Sequence, residues 1–114
     1  MQSVVLIGNS SFTLDLIKNI PHHGSIANYT VSNARYVVEY PDGHLYFDFS
    51  EQLSTHFDIN ELKKIPYGSP NFILLTFTSK ELLRKVLLKG NLRNIYVDDD
   101  HGEIVPVEKF MKTL

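Results

Sequence analysis

The chain contains no cysteine. That removes a disulfide scaffold, a thiolate metal site and a cysteine nucleophile together. It also lacks long apolar runs. Val4-Val5-Leu6-Ile7 and Phe72-Ile73-Leu74-Leu75 are strand-sized stretches, far short of the ~20 residues a membrane-spanning helix needs. No basic leader precedes the first run, so no export signal is expected and the default location is the cytoplasm. Strong charge of one sign is missing too. Eleven basic and 13 acidic residues give a formal net charge of −2, which gives no bulk attraction to nucleic acid or to a membrane surface. Gly8 stands alone after its strand, with no G-x-G-x-x-G and no G-K-[ST] pair. Dinucleotide and P-loop recognition are therefore unsupported, and no cofactor is expected.

What is present suits one compact domain over residues 1–114, with 43% apolar and 21% charged residues. Val4 to Ile7 reads as a buried strand stopped by Gly8-Asn9. Ser10 or Ser11 can cap a helix whose inner side is Phe12, Leu16, Ile17 and Ile20, ended by Pro21. Pro21 to Asn33 reads as a long loop, within which Ile26 to Val31 can add a short strand. Ala34 to Ser50 is a hairpin around Pro41-Asp42-Gly43, in which glycine is expected to supply a positive φ.

Asp58-Ile59-Asn60-Glu61 has capping-box spacing, with Ile59, Leu62 and Ile65 facing inward. Asn71 to Phe77 is a second buried strand. Thr78-Ser79-Lys80-Glu81 reads as another capping box, with Thr78 as the cap, opening a helix that buries Leu82, Leu83, Val86 and Leu87. Asn94 to Asp98 and Glu103 to Val105 form a second hairpin, and Pro106 opens a last helix. The expected fold is α+β, with an α/β-like order of elements. One layer of mixed sheet carries two hairpins, with helices packed against it. The two buried strands that precede helices are expected to be parallel neighbours.

Three groups of residues carry possible chemistry. Asp98-Asp99-Asp100-His101-Gly102-Glu103 resembles an EF-hand loop only superficially. Its glycine falls at the fifth position and its twelfth residue is Lys109, so no metal site is assigned. Ser10, after the first strand, could meet Asp98, Asp100 and His101 in a small hydrolase or metal-dependent domain. The hairpin Tyr36, Glu39, Tyr40, Asp42, Tyr46 and Asp48 sets tyrosines among acids, and from Tyr36 to Leu62 every charged residue is acidic. Tyrosine anchors contacts and acids steer association with a basic protein. The favoured expectation is a non-catalytic intracellular binding protein, of the inhibitor or immunity type. It would use those six residues against a basic protein partner, without nucleic acid or membrane. Self-association through an exposed hairpin edge is the further expectation. The hydrolase or metal-dependent domain is the alternative.

Overall fold

The computed structural model describes residues 2–32, 34–89, 92, 94–98 and 103–114. Its frame is one seven-stranded sheet in the order β2-β3-β4-β5-β1-β6-β7. The strands are β1 (Gln2–Gly8), β2 (Ala27–Ser32), β3 (Arg35–Tyr40), β4 (Gly43–Phe49), β5 (Asn71–Phe77), β6 (Tyr96–Asp98) and β7 (Ile104–Pro106). The helices are α1 (Leu14–Asn19), α2 (Ile59–Leu62), α3 (Lys80–Lys89) and α4 (Val107–Met111), with a 3₁₀ turn over Glu51–His56. The α+β fold read from the sequence is the fold observed. The expected parallel pairing is not: every strand pairing among the described residues is antiparallel.

The reason lies in where the crossovers land. The connections through α1 and α3 do return the chain in the same direction, as expected for crossovers, whereas α2 joins β4 to its antiparallel neighbour β5. But β5 and β6 take β1 between them, and β1 and β2 end with three strands between them. The α1 and α3 crossovers therefore link parallel strands that are not neighbours. The short strand expected within Ile26 to Val31 is observed as β2, which adds a third strand to the predicted hairpin.

Alternation along each strand sends side chains to two unlike faces. On one face Val4, Leu6, Val38, Leu45, Phe47, Ile73, Leu75 and Val97 pack beneath α1, α3 and α4. On the other, Ile7, Phe72 and Ile104 are covered by Phe57, Leu62 and Ile65 from the 3₁₀–α2 segment. That second cluster draws on β5, β1, β6 and β7, and among the described residues none of its members lies on β2, β3 or β4.

Several local expectations shift. α1 is capped at Thr13, whose side chain makes no cap bond; neither Ser10 nor Ser11 is the cap. The Asp58–Glu61 capping box forms, yet Ile59 points to solvent because α2 stops after one turn. At α3 the Leu82 amide donates to Ser79 Oγ at 3.3 Å. Thr78 is not the cap, because its hydroxyl accepts from the His44 amide at 3.1 Å instead. Gly43 does not take a positive φ. It is glycine for space: a Cβ there would stand 2.1 Å from Thr78 Oγ1.

Candidate functional site

The uncovered face of β2, β3 and β4 is the site the fold leaves open. Register builds it in rows. Tyr29 pairs with Val37, and Val37 pairs with Tyr46. Directly opposed residues in antiparallel strands hold their Cβ atoms about 4.5–5.5 Å apart, so the two tyrosines flank the valine. Val37 is 1% exposed but belongs to neither core cluster. Its neighbours across the strands on either side are Tyr29 and Tyr46.

The row on one side is Ala27, Glu39 and His44; on the other it is Ser32, Arg35 and Asp48. Tyr29 donates its hydroxyl to Glu39 Oε1 at 3.0 Å. That hydrogen bond, with the carboxylate's charge beside it, raises the pKa of the Tyr29 hydroxyl. Arg35 grips Asp48 with both arms, Nε to Oδ1 at 2.6 Å and Nη2 to Oδ2 at 3.0 Å. Its guanidinium carbon also lies 5.0 Å from the centre of the Tyr46 ring, within cation–π range. The His44 ring lies 4.5 Å from Tyr46 and tilted 35° to it. Tyr46 is thus held by contacts with Arg35 and His44.

The six residues chosen from the sequence are divided by this geometry. Glu39, Tyr46 and Asp48 stand on the open face, and Asp42 is exposed at the turn. Tyr36 and Tyr40 are 7% and 6% exposed, in the helix-covered core. They lie on the opposite face because they alternate out of step with Arg35, Val37 and Glu39. The Lys85 ammonium lies 5.3 Å from the Tyr40 ring, and burial raises both phenols' pKa values. The sequence reading left Tyr29 out of the contact set, although the short strand expected over Ile26 to Val31 contains it. It also missed that Arg35, one residue before the acidic stretch, cancels Asp48. A two-residue turn at Pro41-Asp42 already fixes that pair, since partners across such a hairpin are symmetric about it.

The alternative site is not assembled among the described residues. β6 runs antiparallel to β1, so Tyr96 lies beside Ile7 and Asp98 lies farther from Gly8, beside Val5. Ser10 follows Gly8 at the other end of β1. Its carbonyl accepts from Asn71 Nδ2, as does that of Phe12, each at 3.1 Å. Asn9 Oδ1 takes the Ser11 amide at 2.9 Å. This turn is shaped by packing: a Cβ on Gly8 would be 2.4 Å from that of Phe12. Asp99, Asp100, His101 and Gly102 lie outside the described residues. Within those described, no three histidine, aspartate or glutamate side chains gather as a metal would require. No helix of the described residues is long and apolar enough to cross a membrane.

Among the concave places lined by the described residues are two. A cleft of about 390 Å³ is lined by Asn9, Tyr67, Asn94, Tyr96 and Glu108, among others. Tyr67 closes one wall by donating to the Asn94 carbonyl. A shallower one of about 420 Å³ runs along α3 past Lys80, Arg84 and Leu88. Neither brings a nucleophile to a base. Compared with known proteins, the chain matches no protein-family model, no curated protein and no solved structure.

Proposed function

We propose that this chain is a non-catalytic intracellular protein-binding module, of the inhibitor or immunity kind, that docks a basic protein partner on the open face of β2, β3 and β4. The observation that carries the reading is the Tyr29–Val37–Tyr46 row. Two tyrosines stand on a sheet face without a helical cover, fixed in place by Glu39, His44 and Arg35. Rigid aromatic side chains make effective contact anchors because little rotamer freedom is lost on binding. Since Arg35 neutralises Asp48, the steering charge comes from Glu39 and Asp42. Tyr36 and Tyr40 drop out of the contact set, and Tyr29 enters it.

The test is capture from lysate of the native source on immobilised protein, comparing wild type with Tyr46→Ala and with the double variant Glu39→Lys, Asp42→Lys. A basic protein retained by wild type, released by salt and lost from both variants supports the reading. Retention unchanged by all three substitutions overturns it.

A further inference from the structure

The two edges of the sheet are treated differently. β7 is three residues long, ends in Pro106, and runs directly into α4. Short strands and proline are common ways to close an edge. β2 is six residues long, Ala27 to Ser32, and contains neither a charged residue nor a proline. It leaves a row of backbone groups without a strand beside it. The side chains there are also unusual for a solvent-facing edge. Ile26 is 67% exposed, Tyr29 43% and Val31 60%. Of the large apolar side chains that stand exposed among the described residues, only Ile59 and Leu88 lie elsewhere.

We propose that two copies of this chain pair edge to edge through β2, antiparallel about a two-fold axis, to form one continuous sheet. The occupant is argued from charge and symmetry. Ala27 lies beside Glu39, and Ser32 lies beside Arg35. Antiparallel pairing brings the Ala27 end of one copy next to the Ser32 end of the other. Glu39 of each copy then lies in line with the neutralised Arg35–Asp48 pair of its mate, and the two Glu39 carboxylates stay apart. Parallel pairing would set Glu39 toward Glu39. β2 itself brings no charge to oppose its twin, and its apolar side chains meet apolar ones. A bulge at Val31, where pairing slips between Thr30 and Ser32, limits the regular ladder to a few residues. One short strand pair buries less than the ~1,200–2,000 Å² of a standard interface, so the dimer is reversible and concentration-dependent. It is also closed, because each copy has spent the one long edge strand among its described residues, β7 being short and ending in Pro106. This inference does not rest on the proposed function, since the edge is open whatever docks on the face.

Sedimentation equilibrium of the full chain from about 1 µM to about 1 mM tests it. Wild type should move from 13.1 kDa toward twice that mass as concentration rises. Ile26→Lys with Val31→Lys, both at exposed positions, should stay monomeric with an unchanged circular dichroism spectrum. Leu88→Lys, on α3, should dimerise as wild type does. A wild type that is monomeric throughout overturns the proposal. So does a dimer indifferent to the two lysines, or a ladder of larger species, which a closed pair forbids.

Discussion

Gly43 offers a sharp test of why a residue is what it is. Two explanations compete: a backbone that only glycine adopts, or a neighbour that leaves no room. The structure supports the second. An added Cβ would lie 2.1 Å from Thr78 Oγ1 and 2.9 Å from Leu82 Cδ1. The leucine methyl is the end of a flexible chain and can move. The threonine hydroxyl cannot easily do so, because it accepts from the His44 amide at 3.1 Å and so ties the start of β4 to the segment before α3. Gly43→Ala must push it away. Overpacking costs about 1–3 kcal/mol, and the displaced hydrogen bond adds about 0.5–1.5 kcal/mol. A loss of about 2–4 kcal/mol is therefore expected. Thr78→Ala alone should cost about 1 kcal/mol, the hydrogen bond only. In that background the nearest remaining atom of residue 78 is its Cβ, 3.4 Å away, an ordinary contact. Gly43→Ala should then cost well under 1 kcal/mol. Urea unfolding followed by circular dichroism measures all four corners of the cycle. A coupling of about 1–3 kcal/mol is the expected result. If the two costs instead add to within about 0.5 kcal/mol, the contact is not the reason for the glycine.

Four further outcomes follow from the same structure. His22 is held below its usual pKa, chiefly because burial disfavours the charged ring, against a hydrogen bond to the Ile17 carbonyl that raises it. The folded state therefore takes up that proton less readily than the unfolded chain. His22 leaves stability intact above about pH 6.5 and erodes it as pH falls through that value, at no more than about 1.4 kcal/mol per pH unit; His22→Gln should flatten this slope in unfolding curves. Asp58→Ala should cost about 1 kcal/mol through loss of its capping box, whereas Thr13→Ala, at a cap with no side-chain bond, should cost no cap energy in the same assay. Arg35→Ala should cost less than about 1 kcal/mol because the pair with Asp48 is largely exposed, and the cost should shrink with salt. Val37→Thr should cost roughly 1–3 kcal/mol by burying a hydroxyl, and much less once Tyr29 and Tyr46 are both serine, if those rings are what keep water from it.

The sequence revealed elements better than neighbours. Val4 to Ile7 and Asn71 to Phe77 announce buried strands because apolar side chains fill both faces, and those strands became β1 and β5 in the sheet centre. The same strands misled about direction. Strand–helix–strand order requires a crossover but does not say that the two strands touch, and here β1 sits between β5 and β6. Ala27 to Ser32 is polar enough to read only as a short optional strand within a longer loop, because an edge strand with exposed side chains needs no apolar alternation. Thr78 and Ser79 are both good caps in isolation; only the approach of β4 decides that Thr78 spends its hydroxyl on His44. The candidate site was half legible for a related reason. Alternation within Arg35–Tyr40 separates Tyr36 and Tyr40 from Val37 and Glu39. It cannot say which set meets the helices, because both contain large apolar groups.

That ambiguity bears on what the open face is for. A sheet face destined only for water needs no apolar residue at its centre, and polar β-branched side chains would serve there. Val37 is apolar and buried nonetheless. Burying such a side chain contributes about 1.5–3 kcal/mol, and Tyr29 and Tyr46 flank it with or without a partner. Tyr46 is further fixed by His44 and Arg35, and Tyr29 by Glu39. Their rings are therefore ordered before any encounter, and binding need not immobilise them again. A surface whose anchors are already fixed by folding suits a rigid docking partner better than a flexible peptide. Under the proposed reading Arg35 has a place beside Tyr46 although its charge opposes the acids: removing it would add negative charge to the face but loosen the Tyr46 ring.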